Sequence, residues 1–349
     1  MKKILITGIA GFIGSHLTKR LVEHGFEVYG VDSMNEYYSL KLKSDRLAEL
    51  GISVKQHTDK LFVNSQRYPN LAFQNLDITD YDKLIRIFTD NRFDFVINLA
   101  AQPGVRYSLE NPKAYIKSNI EGFFNILEAC RHFPIKHLIY ASSSSVYGLS
   151  NDLPLKETQR TDNPISLYAA SKKSNELMAY TYSHLYKIPT TGLRFFTVYG
   201  PWGRPDMSPY LFTNSILNGL PINVFNYGEM MRDFTYIEDI VISIHKLLLL
   251  PPIVTDISVN NPNTETLDPY RILNIGNSSP VKLIDFINQI EEYVHKKAII
   301  VYKEMQKGDV KNTHADNVNI ANIIDYRPQY SLKTGIKNYI DWFKKYYKN

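Results

Sequence analysis

The sequence predicts an α/β protein, a doubly wound parallel sheet joined to a smaller C-terminal α/β lobe. Three observations carry this. Short apolar runs alternate with amphipathic stretches through residues 1–198, a glycine-rich turn follows the first run, and a serine cluster ends the fifth. Alternation of this kind is the pattern of crossover units on a parallel sheet.

The opening unit covers residues 2–32. Ile4, Leu5 and Ile6 form a run too short for a helix and suited to a strand buried on both faces. Gly8, Gly11 and Gly14 follow, then an amphipathic segment over 12–24, then an apolar run over 26–31 that stops at Asp32. One glycine permits the tight turn, one admits a pyrophosphate, and one lets the helix pack on the strand. The helix N-terminus adds N–H donors and partial positive charge. Asp32 can accept both ribose hydroxyls and would repel a 2′-phosphate, which favours NAD over NADP. Turn, helix and acidic strand end together read as a dinucleotide site; a glycine triplet alone does not.

Further along, a helix is expected over 40–50, and 51–70 reads as an insertion or loop. A strand at 71–76 ends on Asp77, a helix covers 80–90, and 93–99 is the fourth strand. One long helix is expected over 112–132, the fifth strand over 137–141, a helix over 166–186 and the sixth strand over 190–195. Beyond Tyr199 the alternation loosens into a turn-rich loop (201–209), a helix (210–219) and a short strand (222–225). Residues 251–269 read as a proline-rich loop, and 281–296 and 334–347 as helices. The division expected is a dinucleotide-binding domain over 1–198 and a lobe over 199–349 whose pieces interleave with the main sheet.

Composition bounds the class. The 349 residues suffice for a large core, and 44% apolar and 21% charged residues are ordinary for a globular protein. The net charge of +5 reflects scattered lysines, with no basic run interleaved with aromatics, so nucleic acid is not an expected partner. The single Cys130 excludes an internal disulfide and a cysteine-based metal cluster, and no metal site is expected. The apolar stretch 240–250 is too short to span a bilayer, and the chain opens on a core strand without a leader. A cytoplasmic protein without a membrane partner is expected.

Tyr168 and Lys172 lie four apart and share a helix face. A tyrosine near pKa 10 is a poor base, and a neighbouring ammonium together with an oxidised nicotinamide lowers that value. Ser142, Ser143, Ser144 and Ser145 fall at the carboxyl end of the fifth strand, where doubly wound sheets bind ligands. Ser143 is the first choice to share the reacting proton with Tyr168, and Ser145 the second.

The glycine turn, Asn98-Leu-Ala-Ala, the serine run and Tyr168-x-x-x-Lys172 resemble the extended short-chain dehydrogenase/reductases that act on nucleotide sugars. Residues 102–112 (QPGVRYSLENP) and 193–207 (LRFFTVYGPWGRPDM) resemble UDP-glucuronate 4-epimerases more narrowly. The resemblance implies a Rossmann-type NAD domain with a UDP-sugar lobe, dimerised through the helices at 112–132 and 166–186. To the cofactor it assigns Gly8, Gly11, Phe12, Ile13 and Gly14, then Asp32, Asn35, Asp77 and Ile78. Leu99, Ala100, Ala101, Asn119, Tyr168, Lys172 and Phe195 complete that set. To the substrate it assigns Arg106, Ser143, Ser144, Thr197, Arg204, Arg232 and Asp309, with Arg204 and Thr197 facing the sugar carboxylate. The implied reaction interconverts UDP-glucuronate and UDP-galacturonate through a 4-keto sugar, with Tyr168 as base.

Three departures from the resembled pattern stand out: Pro103 in place of alanine, Lys307 in place of proline, and residues 51–70, longer than in many members. The related decarboxylases and dehydratases carry an acid in the serine motif, where this chain has Ser144 and Ser145. That favours epimerisation over UDP-glucuronate decarboxylation, and a neutral-sugar UDP-glucose 4-epimerase is the other alternative.

Overall fold

The structure, a computed structural model, describes residues 1–53, 62–253 and 268–347. Most of the expected 251–269 loop, and residues 54–61 of the expected insertion, lie outside them.

β1 (Lys3–Thr7) passes through the glycine turn into α1 (Phe12–Glu23) and returns as β2 (Glu27–Asp32). α2 (Leu40–Glu49) starts where Ser39 accepts from the Leu42 N–H at 3.4 Å. The described remainder of the insertion holds a two-residue strand, β3 (Val63–Asn64), which pairs antiparallel with β4 (Leu71–Asn75). α3 (Tyr81–Asn91), capped by Asp80, leads to β5 (Phe95–Asn98).

The helix expected over 112–132 is continuous but changes pitch: α5 (Pro112–Tyr115) passes through a π-helical stretch (Ile116–Glu121) into α6 (Gly122–His132), and a separate single turn, α4 (Tyr107–Glu110), precedes it. The extra residue of a π turn shifts the ladder, and here it brings Asn119 inward, where it is buried.

β6 (His137–Ser143) runs two residues further than expected, and Ser144–Tyr147 form a 3₁₀ turn. α7 (Leu167–Tyr186) begins at Ser166, whose hydroxyl accepts from the Ala169 N–H at 3.1 Å. β7 (Thr190–Phe195), β8 (Thr197–Tyr199), α8 (Ser208–Leu217), β9 (Pro221–Phe225), β10 (Met231–Arg232) and β11 (Phe234–Tyr236) follow.

The apolar stretch near 240 is α9 (Ile237–Leu248), amphipathic and packed along α1. β12 (Tyr270–Ile275), β13 (Val281–Lys282), α10 (Leu283–Val294), β14 (Ile299–Lys303), α11 (Val318–Ile324) and α12 (Leu332–Tyr347) complete the chain. No described helix is long and apolar enough to cross a membrane.

The main sheet has the order β12-β7-β6-β5-β1-β2-β4-β3, and every pair except β3–β4 is parallel. Strand order runs outward in both directions from β1 and β5, so a crevice opens at their carboxyl ends. Alternation along β1 splits the core. Ile4 and Ile6 pack with Leu17, Leu21 and Ile240 on one face, and Leu5 packs with Leu84, Phe88 and Ile126 on the other. Three two-stranded sheets, β8–β11, β9–β14 and β10–β13, build the remainder.

One ion pair locks α7 against the sheet. Glu176, 2% exposed, receives two 2.8 Å hydrogen bonds from Arg194 of β7 and one of 2.7 Å from Ser142 of β6. Burial pushes the Glu176 carboxyl up, but the hydrogen bonds and charge of Arg194 outweigh it and hold the carboxyl below its ordinary value. The pair therefore contributes fully above the ordinary glutamate range, and its contribution is lost as pH falls through the lower folded value.

Arg194→Met strands this buried carboxylate. The expected loss is about 3–5 kcal/mol of stability at pH 7 in urea unfolding. The deficit relative to wild type should narrow in acid, where protonation removes the stranded charge.

Candidate active site

A cavity of about 990 Å³ lies over the carboxyl ends of β1, β2, β5, β6 and β7 and is closed by residues 204–234 and 306–313. Its first part is built on the glycine turn. Gly8 has φ +77°, and a Cβ there would lie 2.8 Å from the Ala100 backbone nitrogen. A Cβ on Gly14 would lie 2.1 Å from the Gly8 carbonyl oxygen. Both neighbours are backbone and cannot swing aside. The N-cap of α1, Gly11, makes no side-chain cap bond, and the first turn carries no acid. The positive end of α1 thus faces the cavity wall formed by Gly11, Phe12, Ile13 and Gly14.

Asp32 is held at the wall by the backbone N–H groups of Ala10 (3.1 Å) and Met34 (2.9 Å), and its oxygens keep lone pairs for ribose hydroxyls. Beside it, Lys43 donates to the Asn35 carbonyl (2.7 Å) and to Asn35 Oδ1 (2.8 Å). Asp77 accepts from the Thr79 N–H at 3.0 Å, and Ile78, Leu99, Ala100, Ala101 and Phe195 continue the lining. A helix end for phosphates, an acidic ribose acceptor and apolar walls fit a dinucleotide. Among the residues assigned to the cofactor, Asn119 alone lies off the wall. It accepts from the Gln102 N–H (2.7 Å) and donates to Ser171 Oγ (2.9 Å), so it braces the 102–106 loop against α7.

At the centre, Tyr168 and Lys172 project from α7 under the end of β6. Burial pushes the Tyr168 phenol up, and a hydrogen bond with Ser143 and the charge of Arg204 pull against it. Ser143 Oγ also donates to Ser145 Oγ at 3.1 Å and accepts from the Ser145 N–H at 3.1 Å. Lys172 donates to the Ala141 carbonyl at 2.9 Å, and burial pushes its own pKa down to about 8. Four residues along the same helix face, Glu176 fixes the rotation at which both side chains meet the strand end.

At the far end, Arg204 pairs with Asp206, its Nε donating at 3.0 Å, and Tyr37 donates to the same carboxylate at 2.9 Å. Thr197 and Ser144 line the cavity nearby. Arg106 meets Asp309 at 3.3 Å across the mouth and lies over the Phe225 ring, its guanidinium 4.9 Å from the centroid. Arg232 donates to the Val310 carbonyl at 2.6 Å and the Lys311 carbonyl at 2.8 Å. Asp233, next to it, is buried and accepts from the N–H groups of Asn277, Ser278 and Ala315, which fixes this corner.

Sequence reasoning missed Tyr37, Lys43 and Asp206, which line the cavity. Asp206 was within reach, as an acid two residues from Arg204. Tyr37 carries no local signal, because folding alone brings it to Asp206. Arg46 was missed for the same reason. Its guanidinium joins the Ala10 carbonyl (2.9 Å) in the glycine turn to the Trp202 carbonyl (2.6 Å), two residues before Arg204.

Fold and site define a dinucleotide-dependent enzyme of the short-chain dehydrogenase/reductase class. The chain belongs to the NAD dependent epimerase/dehydratase family, which it matches over residues 4–254. It is 49% identical to the protein CapI of Staphylococcus aureus, over 99% of both chains. A probable UDP-glucuronate 4-epimerase of Rhizobium meliloti is 42% identical over 99% of this chain and 98% of that one. Among solved structures, the UDP-glucuronic acid 4-epimerase of Bacillus cereus, in complex with UDP-glucuronic acid and NAD, superimposes with a TM-score of 0.84. It is 31% identical, covering 99% of this chain and 100% of that one.

Gly14→Ala places a methyl group against the Gly8 carbonyl and forces the turn open. The variant is expected to fold but to bind NAD at least about tenfold more weakly, the cost of one misplaced phosphate contact. Calorimetric titration of the cofactor-stripped protein measures this.

Proposed function

We propose that this protein is an NAD-dependent UDP-glucuronate 4-epimerase, converting UDP-glucuronate to UDP-galacturonate and back. The observation that carries the reading is the Arg204 guanidinium, which lines one cavity with Tyr168 and the dinucleotide turn. A cation at the sugar end suits a uronate carboxylate, and a neutral hexose has no use for it. The curated and solved relatives named for this activity support the same substrate.

Bound NAD supplies the oxidant that removes and returns the C4 hydrogen, and its oxidised ring supplies positive charge that favours the Tyr168 phenolate. The chain's own residues do the rest. Tyr168 Oη accepts the C4 hydroxyl proton, and Ser143 shares the hydrogen bond that steadies it. Lys172 holds the end of β6 through Ala141. Arg232 and Arg106 bind the diphosphate and Asp309 the uridine side, so the sugar turns about an anchored phosphate link and exposes its other face. Tyr168 then returns the proton to the epimeric hydroxyl. Ser145 completes the serine pair, and Ser144 and Thr197 border the carboxylate.

We place the cofactor-binding domain at residues 1–198 and the UDP-sugar lobe at 199–349, with β12 of the latter joining the main sheet and α9 packing along α1. We also propose a cytoplasmic homodimer that supplies an activated uronate for polysaccharide assembly. Ile116, Phe124, Leu177 and Leu185 are each 43–59% exposed on the π-helical stretch, α6 and α7, an apolar surface suited to a second copy.

Proton NMR of UDP-glucuronate incubated with the protein should show UDP-galacturonate without net NADH, and Tyr168→Phe should slow this about 10²–10⁴-fold. UDP-xylose instead would make the protein a decarboxylase; conversion of UDP-glucose alone would make it a neutral-sugar epimerase. Separately, Phe124→Asp with Leu177→Asp should halve the mass found by light scattering, because two buried carboxylates oppose the apolar contact.

A further inference from the structure

The sugar end holds a carboxylate, Asp206, that the reaction as described does not use. Arg204 presents a planar fork with two edges, one formed by Nε and Nη2 and the other by Nη1 and Nη2. Asp206 occupies the first edge with both carboxylate oxygens. Only the second remains for a ligand. Asp206 is itself fixed, since Tyr37 Oη donates to its Oδ2 at 2.9 Å. Tyr37 cannot drift, because its ring packs against Tyr107 at 4.7 Å and its hydroxyl sits under Gly104, where a Cβ would lie only 2.7 Å away.

This arrangement sets the plane and exposed edge of the guanidinium before any substrate arrives. The orientation matters for a uronate. Oxidation at C4 leaves the carboxylate β to a ketone. If the C5–C6 bond aligns with the carbonyl π system, it breaks, CO2 leaves, and its electron pair forms an enolate that C5 protonation turns into a 4-keto pentose. The NADH formed in the oxidation then stays reduced. A carboxylate held in the plane of the carbonyl keeps that bond out of alignment.

We propose that Asp206, held by Tyr37, is a positioning residue that fixes the Arg204 fork so that the substrate carboxylate is retained through the keto stage. The proposal rests on the uronate 4-epimerase reading. Asp206 touches no reacting atom; it acts through Arg204. Freed from Asp206, the arginine can still bind a carboxylate through its more accessible edge, so substrate affinity does not suffer. What suffers is the angle at which the carboxylate is held.

The test compares Asp206→Asn and Tyr37→Phe with wild type on UDP-glucuronate. Proton NMR counts UDP-galacturonate against 4-keto pentose, and absorbance follows the NADH left behind. Asp206→Asn should raise the share of turnovers ending in CO2 loss about tenfold, the scale of one charge-assisted hydrogen bond, with KM unchanged or lower. Tyr37→Phe should move the share the same way by about threefold. An unchanged product ratio in both variants, or a raised KM with the wild-type ratio, overturns the proposal. If Asp206→Asn does not fold, Tyr37→Phe decides alone. Absence of UDP-galacturonate from wild type is a different failure, that of the epimerase reading itself.

Discussion

The buried contact between Glu176 and Arg194 is the constraint on which the site depends. A helix lying on a parallel sheet can roll about its axis at little cost when only apolar side chains meet the strands. Two parallel hydrogen bonds to a planar guanidinium do not permit this. Because Tyr168, Lys172 and Glu176 follow one another at four-residue intervals, fixing the last fixes the other two. Arg194 is further enclosed by the Tyr147 ring at 4.8 Å, whose hydroxyl reaches Asn274 of β12 at 2.7 Å. The orientation of the catalytic helix is thus tied to the strand at the far edge of the sheet.

The electrostatics of the cleft are divided between groups that belong to the fold and groups that arrive with ligands. Burial raises Tyr168 and lowers Lys172, so neither takes its working protonation state from position alone. Ser143 and Arg204 pull the Tyr168 phenol the other way. Arg46 adds a mechanical link, because it bonds to both the cofactor turn and the loop that carries the sugar-facing arginine. Trp202 in that loop also packs against Trp342 and Tyr346 of α12, so the last helix of the chain supports the same segment.

Much of this was legible in the sequence wherever structure follows from local pattern. The glycine turn, Asp32 and the alternating strands are short-range features, and the Tyr-x-x-x-Lys face needs only helical periodicity. The π turn was not legible, since its cause is tertiary: Asn119 is drawn in by Gln102 and Ser171. The small sheets β8–β11, β9–β14 and β10–β13 pair segments far apart in the chain and too short to show a period. Asn119 carried a pattern that resembles a cofactor contact, yet its side chain is consumed in bracing. The wedging of Tyr37 under Gly104 could not be read at all, because it depends on where two separate loops come to rest.

β12 lends the architecture a property that bears on its history. It comes from well beyond residue 198, yet it pairs along all six residues of β7, each of which is buried. A fragment ending at 198 would leave β7 as a bare edge with its N–H and C=O groups unmet, the kind of edge that recruits other chains. The two parts are therefore not exchangeable modules. A recombination event with a single junction would separate the sheet from its own border strand, whereas variation confined to loops such as 200–208 leaves that border intact. In such a design new substrates are reached by editing loops, and the lobe is inherited together with the sheet that it completes.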